Sequence, residues 1–381
     1  MKNYLFVLLT ILLCSGCKTE ESYNTPLERV LASSNPDIRR VMDSVEQFEV
    51  QIRYTQVNRD DDGISFTDYD FQVADENYFY PASTVKFPIA VLALEKLNQI
   101  DTLSREVRFY IEGDSVENTF ATDVSKIFAV SDNHANNRLL EFLGQDAINN
   151  GLEQKGIRPV RISHRLGYHT DDVTTKPLII YLNDSTTATT TPTINKEPKP
   201  LNLNKINKGT GFYAQDSLIK DPFDFSLKNY YPIAAQHAVL KRVIFPEKFE
   251  PSQRFDLSES QREFLLSTMY TLPKNAGYDA EEFYDGYCKF FMFGDTKESI
   301  PEHIKIYNKV GFAYGTLTDC AYITDSKNNV EFMLTATILV NRDGIFNDDA
   351  YEYDEVGIPF LAALGREIHA LELDRKNRLE E

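Results

Sequence analysis

The chain carries β-rich sequence at both ends and helix-patterned sequence between them, a distribution that limits its possible folds more than any other feature. Near the start, Glu49 to Val57 and Ile64 to Val73 alternate apolar and polar residues around a turn at Asn58 to Gly63. Near the end, Lys305 to Phe312, Thr318 to Thr324 and Val330 to Val340 are three further strand-like runs separated by Gly-Thr and Asp-Ser-Lys-Asn-Asn turns. An amphipathic helix is predicted before the first strands, over Asp37 to Phe48, and another after the last, over Ile358 to Leu373, with Phe360, Leu361, Leu364, Ile368 and Leu371 on one face. The pattern predicts an α+β fold in three α/β/α-like layers. One antiparallel sheet is built from both chain termini and flanked by helices, and a mostly helical subdomain fills the middle.

With 381 residues, 42% of them hydrophobic, the chain can bury a full core. Its formal charge of −18 repels phosphate backbones and argues against a nucleic-acid partner. The six histidines show no metal-ligand spacing, and neither Cys-x-x-Cys nor His-Glu-x-x-His occurs, so no metal and no cofactor are expected. Met1 to Cys17 reads as an export segment, with Lys2 before the apolar run Tyr4 to Leu13, which is short for a membrane span. Leu13-Cys14-Ser15-Gly16-Cys17 is similar to a bacterial lipoprotein box. That likeness implies lipidation at Cys17 and a tether over 18–36, with the protein anchored in the cell envelope and facing the periplasm or displayed at the surface. The mature domain, 37–375, then holds Cys288 and Cys320, which pair or stand as separate thiols. Within it, 183–208 is rich in Thr, Pro, Asn and Lys and reads as an exposed polar insert.

Chemistry concentrates first in Tyr80-Pro81-Ala82-Ser83-Thr84-Val85-Lys86-Phe87-Pro88, which runs into the apolar Ile89 to Leu94. A buried helix start places Ser83 and Lys86 on one face. A serine hydroxyl attacks only when a base takes its proton, and a lysine is such a base only where burial or nearby cations keep it neutral. Ser217-Leu218-Ile219-Lys220 has the same spacing, but no buried helix follows it to hold the hydroxyl in place. A second element, Ser131-Asp132-Asn133, lies 48 residues on (131 − 83) and is suited either to relay a proton and hold a carbonyl or to cap the helix His134 to Leu143. The third, Lys309-Val310-Gly311, sits in a predicted strand. Lys208-Gly209-Thr210-Gly211 imitates it from a loop-like stretch.

In this order the three elements resemble the Ser-x-x-Lys, Ser-Asp-Asn and Lys-Thr-Gly set of class A β-lactamases and penicillin-binding proteins. The likeness extends to Gly315, Thr316 and Asp319. It implies acylation of Ser83 with Lys86 as proton acceptor, proton delivery to the leaving nitrogen by Ser131, and a substrate amide held by Asn133. It also implies attraction of a substrate carboxylate by Lys309, and an oxyanion hole formed by the backbone N–H groups of Ser83 and Phe312, with Gly311 beside them. Two departures stand out. Val310 replaces a hydroxyl residue, a loss worth roughly 1.5–3 kcal/mol where a charge-assisted hydrogen bond is forgone. In addition, Val160 to Tyr168 lacks the glutamate that activates deacylating water in class A enzymes, Asp171 and Asp172 being the nearest acids.

The sequence thus predicts a monomeric serine hydrolase of the class A β-lactamase type, acting on a β-lactam or a related small-molecule or peptidoglycan-like amide. A D,D-peptidase or esterase on the same fold, and a penicillin-binding or sensor protein without turnover, are the alternatives.

Overall fold

A computed structural model describes residues 23–380 of the chain. The export segment, Cys14, Cys17 and the first residues of the tether lie outside it.

Both termini contribute to one five-stranded antiparallel sheet. Its strands are β1 (Gln51–Asp60), β2 (Gly63–Phe71), β3 (Ile304–Ala313), β4 (Thr316–Asp325) and β5 (Val330–Leu339), in the spatial order β3-β4-β5-β1-β2. The ends are joined where β1 pairs with β5, from Gln51 opposite Thr337 to Gln56 opposite Phe332. Alternation of side chains along each strand then serves two cores. Ile52, Tyr54, Leu317, Ala321, Ile323, Leu334, Ala336 and Ile338 face the terminal helices α1 (Pro26–Leu31), α2 (Pro36–Met42) and α9 (Ile358–Glu380). Val57, Cys320, Tyr322 and Met333 face the helical subdomain of α3 (Lys86–Asn98), α4 (Phe120–Ala129), α5 (Asn133–Leu143), α6 (Gln145–Gln154), α7 (Ile233–Ile244) and α8 (Glu259–Tyr270). The expected α+β architecture is the observed one.

The first helix corrects the expected tether. Leu27, Val30 and Leu31 recur at helical spacing, are buried and pack with the α9 core, so the folded domain begins well before residue 37. The Thr/Pro-rich insert is mostly exposed, as its composition implies, but it is pinned. Thr186–Thr189 pairs with the strand Leu178–Asn183. Buried Asn195 accepts the Asp146 N–H at 3.0 Å and donates to Val173 O at 2.8 Å, and buried Lys208 pairs with Glu49. Farther along, Phe223 and Phe225 stack among Tyr78, Tyr80, Tyr314 and Phe346, which ties the chain after the insert to the residues just before Ser83 and to the end of β3. Cys288 and Cys320 are separate buried thiols.

Candidate active site

Ser83 sits in a 3-10 turn, Ala82–Val85, that leads directly into α3. Residues Lys86 to Leu94 are all buried, so the helix is locked on every side and its first turn cannot drift. The turn is closed by Pro81 O, which accepts both the Thr84 N–H at 3.1 Å and the Thr84 hydroxyl at 2.7 Å. Ala82 is held at φ 46°, a left-handed conformation that costs a residue with a Cβ of order 1–2 kcal/mol, immediately before the serine. Strand β3 presses on this turn. A Cβ on Gly311 would lie 2.8 Å from Pro81 O, 2.8 Å from Ser83 N and 2.9 Å from Thr84 N, so only glycine permits the approach. Because β3 is an edge strand, alternate backbone groups on that side are free of ladder partners.

Two amines converge on Ser131. Lys86 Nζ donates to Ser131 O, to Ser131 Oγ at 3.3 Å and to Asn133 Oδ1 at 2.6 Å. Lys309 Nζ donates to Ser131 Oγ at 2.8 Å and to Val310 O at 2.6 Å. Asp132, between them, caps α5 by accepting the Ala135 N–H at 2.8 Å, while Ser131 and Asn133 on either side of it face the amines. Ser131 achieves its position at φ 58°, another left-handed residue. Among the described residues the Ser83 hydroxyl, half-buried, makes no hydrogen bond, and Lys86 points at Ser131 and Asn133 instead.

Both lysines are almost fully enclosed, Lys86 at 0% and Lys309 at 2% exposure. Burial, and then repulsion from Lys309, holds Lys86 well below the usual lysine range. Burial likewise pushes Lys309 down, to about 8, against the pull of Asp319. A neutral Lys86 can take a proton, and a Lys309 that is still charged can meet an anion. Ser131 Oγ between them can accept from the ammonium and donate to the neutral amine.

Phe312 follows Gly311 at the surface, 50% exposed, between Phe290 and Tyr353. Val310 is not at the surface: it is buried in the apolar cluster beneath α9, where a valine packs better than a hydroxyl residue. Ser217 lies on an exposed strand, Ser217–Ile219, followed by the short strand Phe223–Asp224 rather than by a buried helix.

After α6, the stretch Val160 to Tyr168 contains no Asp or Glu. Asn137 clamps it, donating to Leu166 O at 2.9 Å and accepting the Leu166 N–H at 3.0 Å. Arg165 forms a bidentate buried pair with Glu141 and donates to Asp172 O and Thr174 O. Asp172 uses its own carboxylate on the Thr174 N–H at 2.8 Å, and Asp171 borders a separate cavity of about 310 Å³ with His164, Glu197 and Lys228. The charged groups that act most on Lys86 are Lys309 and Asp132.

Missed from sequence were Lys289 and Asn308, which with Asp319 form a buried polar array behind Lys309. A signal for it existed. Asn308 and Asp319 share the strand parity of Ile306, Val310, Leu317 and Ala321, the parity that faces a core.

Residues 35–194 match the model of a protein family described as the Beta-lactamase enzyme family. No curated protein sequence matches the chain. Among solved structures, a β-lactamase from Burkholderia ambifaria is 14% identical, with TM-score 0.52, over 91% of this chain and 98% of that one. A β-lactamase from Xanthomonas campestris is 16% identical, with TM-score 0.51, over 91% and 97%. A mutant chromosome-encoded β-lactamase of Vibrio parahaemolyticus is 12% identical, with TM-score 0.52, over 87% and 98%.

Proposed function

On the premise that the chain is β-lactamase-like in fold, and in family over residues 35–194, we propose that it is a serine hydrolase that Ser83 carries through an acyl-enzyme. The observation that supports this most is the convergence of two buried amines on Ser131 beside a turn held rigidly against β3. Lys86, neutral, accepts the Ser83 proton as Oγ attacks the carbonyl of a β-lactam or a related peptide-like amide. The tetrahedral oxyanion is received by backbone N–H groups of Ser83 and Phe312. Ser131 passes a proton to the leaving nitrogen, Asn133 holds the substrate amide, and Lys309 attracts a substrate carboxylate. Water then clears the ester.

A second reading gains support from the loop after α6. With Asp172 engaged on Thr174 and no glutamate acting on Lys86, the water of the second step lacks an evident base, which favours slow turnover, as in a D,D-peptidase or a penicillin-binding protein. Burst and steady-state kinetics with a chromogenic cephalosporin separate the two. A burst followed by continuing product release marks a hydrolase, a burst that stops at one equivalent marks a binding protein, and no burst with any β-lactam or ester overturns both. The lipid anchor at Cys17 and residence in the cell envelope are part of this proposal and rest on the N-terminal sequence alone.

A further inference from the structure

Lys86, Lys289 and Lys309 are buried near one another behind Ser83, at 0%, 1% and 2% exposure. So much like charge in a dry region requires a counter-charge or the loss of protons. The region has a fully buried carboxylate, Asp319 on β4. Its oxygens accept Asn308 Nδ2 at 2.9 and 3.0 Å. Asn308 Oδ1 in turn accepts Lys289 Nζ at 2.6 Å, and Lys289 also donates to Met269 O at 2.7 Å. In the register of β3 and β4, Val310 faces Asp319 and Lys309 faces Cys320, so the carboxylate stands one residue from Lys309 on the opposite face of the sheet.

The ionisable groups that act on Lys309 and its neighbours come from several elements. Lys86 approaches from α3, Cys288 and Lys289 from the segment before β3, and Asp319 from β4, while Asp132 acts on Lys86. Burial pushes the Cys288 thiol up, so it stays uncharged at working pH. Burial also raises the Asp319 carboxyl, but Asn308, Lys289, the Phe291 N–H and Lys309 pull it back toward the anion. Asp319 is thus the counter-charge to the lysines.

We infer that Asp319 is a positioning residue for substrate capture: held in place by Asn308, it supplies the negative field that, against the repulsion of Lys289, keeps Lys309 an ammonium and therefore a receptor for carboxylate. Asp319→Asn keeps the shape and most of the hydrogen bonding but removes the charge, so Lys309 loses its proton at lower pH. Lys289→Met removes a repelling cation, so Lys309 keeps its proton to higher pH. The two variants act in opposite senses, which a role in packing alone would not produce.

The inference rests on Lys309 being the carboxylate anchor, and the test separates the two claims. The second-order acylation rate is measured against pH for the full chain and each variant, using a chromogenic cephalosporin and its methyl ester. The free acid should show an alkaline fall, absent with the ester, that moves down by about one pH unit in Asp319→Asn and up in Lys289→Met. Either variant alone decides if the other does not fold. An unmoved alkaline fall in a folded variant overturns the role of Asp319. An equal fall with the methyl ester overturns the anchor role of Lys309, and with it this inference.

Discussion

Adding one methyl group at Gly311 tests the mechanical core of the site. In Gly311→Ala the new Cβ meets Pro81 O and Ser83 N at 2.8 Å and Thr84 N at 2.9 Å, whereas ordinary contact begins at 3.4 Å. All three atoms are backbone, so no side chain can swing aside, and the strand and the Ser83 turn must separate by about 0.6 Å, the difference of those distances. The packing strain costs about 1–3 kcal/mol of stability. Because a misplacement of order 1 Å at a reacting group costs about 100-fold in rate, acylation should fall by one to two orders of magnitude in a protein that still folds. Stopped-flow acylation by a chromogenic cephalosporin, with a urea melt of the same sample, reads both effects. Acylation at the unsubstituted rate would refute the claim that β3 sets the position of Ser83.

Acylation by a carboxylate-bearing β-lactam should follow a bell-shaped pH profile. Lys86, lowered by burial and Lys309, must be neutral, so the rate is lost as pH falls through its depressed value; Lys309 must be charged, so capture is lost as pH rises through about 8. A profile that keeps rising to the ordinary lysine range contradicts these assignments. Arg165→Met strands Glu141 in a buried site and should cost about 3–5 kcal/mol in a denaturant melt, while a loss below 1 kcal/mol would show that the pair does not hold the loop. Val310→Thr should cost about 1–3 kcal/mol by burying a hydroxyl among apolar neighbours, measured in the same way; unchanged stability together with faster capture would place position 310 at the substrate instead.

Residues whose meaning is periodic were legible from sequence. The alternation in Lys305 to Phe312 and Val330 to Val340 gives those strands to within a residue, and the helical spacing of Phe360, Leu364 and Ile368 gives the last helix and its start, though it runs on past Leu373 to Glu380. Ser83 and Lys86 stood out because a long apolar run follows them, and burial is what keeps a lysine neutral and so able to take a proton. What stayed hidden depends on contacts between distant segments. Asn195 and Lys208 look like loop residues until Asp146 and Glu49 are brought to them. The six-residue helix Pro26–Leu31 is too short for its pattern to stand out in a stretch that reads as a polar tether, and it exists because α9 covers it. Asp319 could be noticed by motif and by parity, but its charged neighbours, Lys289 and Lys309, come from separate parts of the chain.

The most direct measurement is the site of covalent attachment. Intact mass and peptide mapping after incubation with a penicillin should show one equivalent bound, located on Ser83, and none on a folded Ser83→Ala variant. An adduct that persists in Ser83→Ala, or that maps to Ser131 or Ser217, would contradict the account.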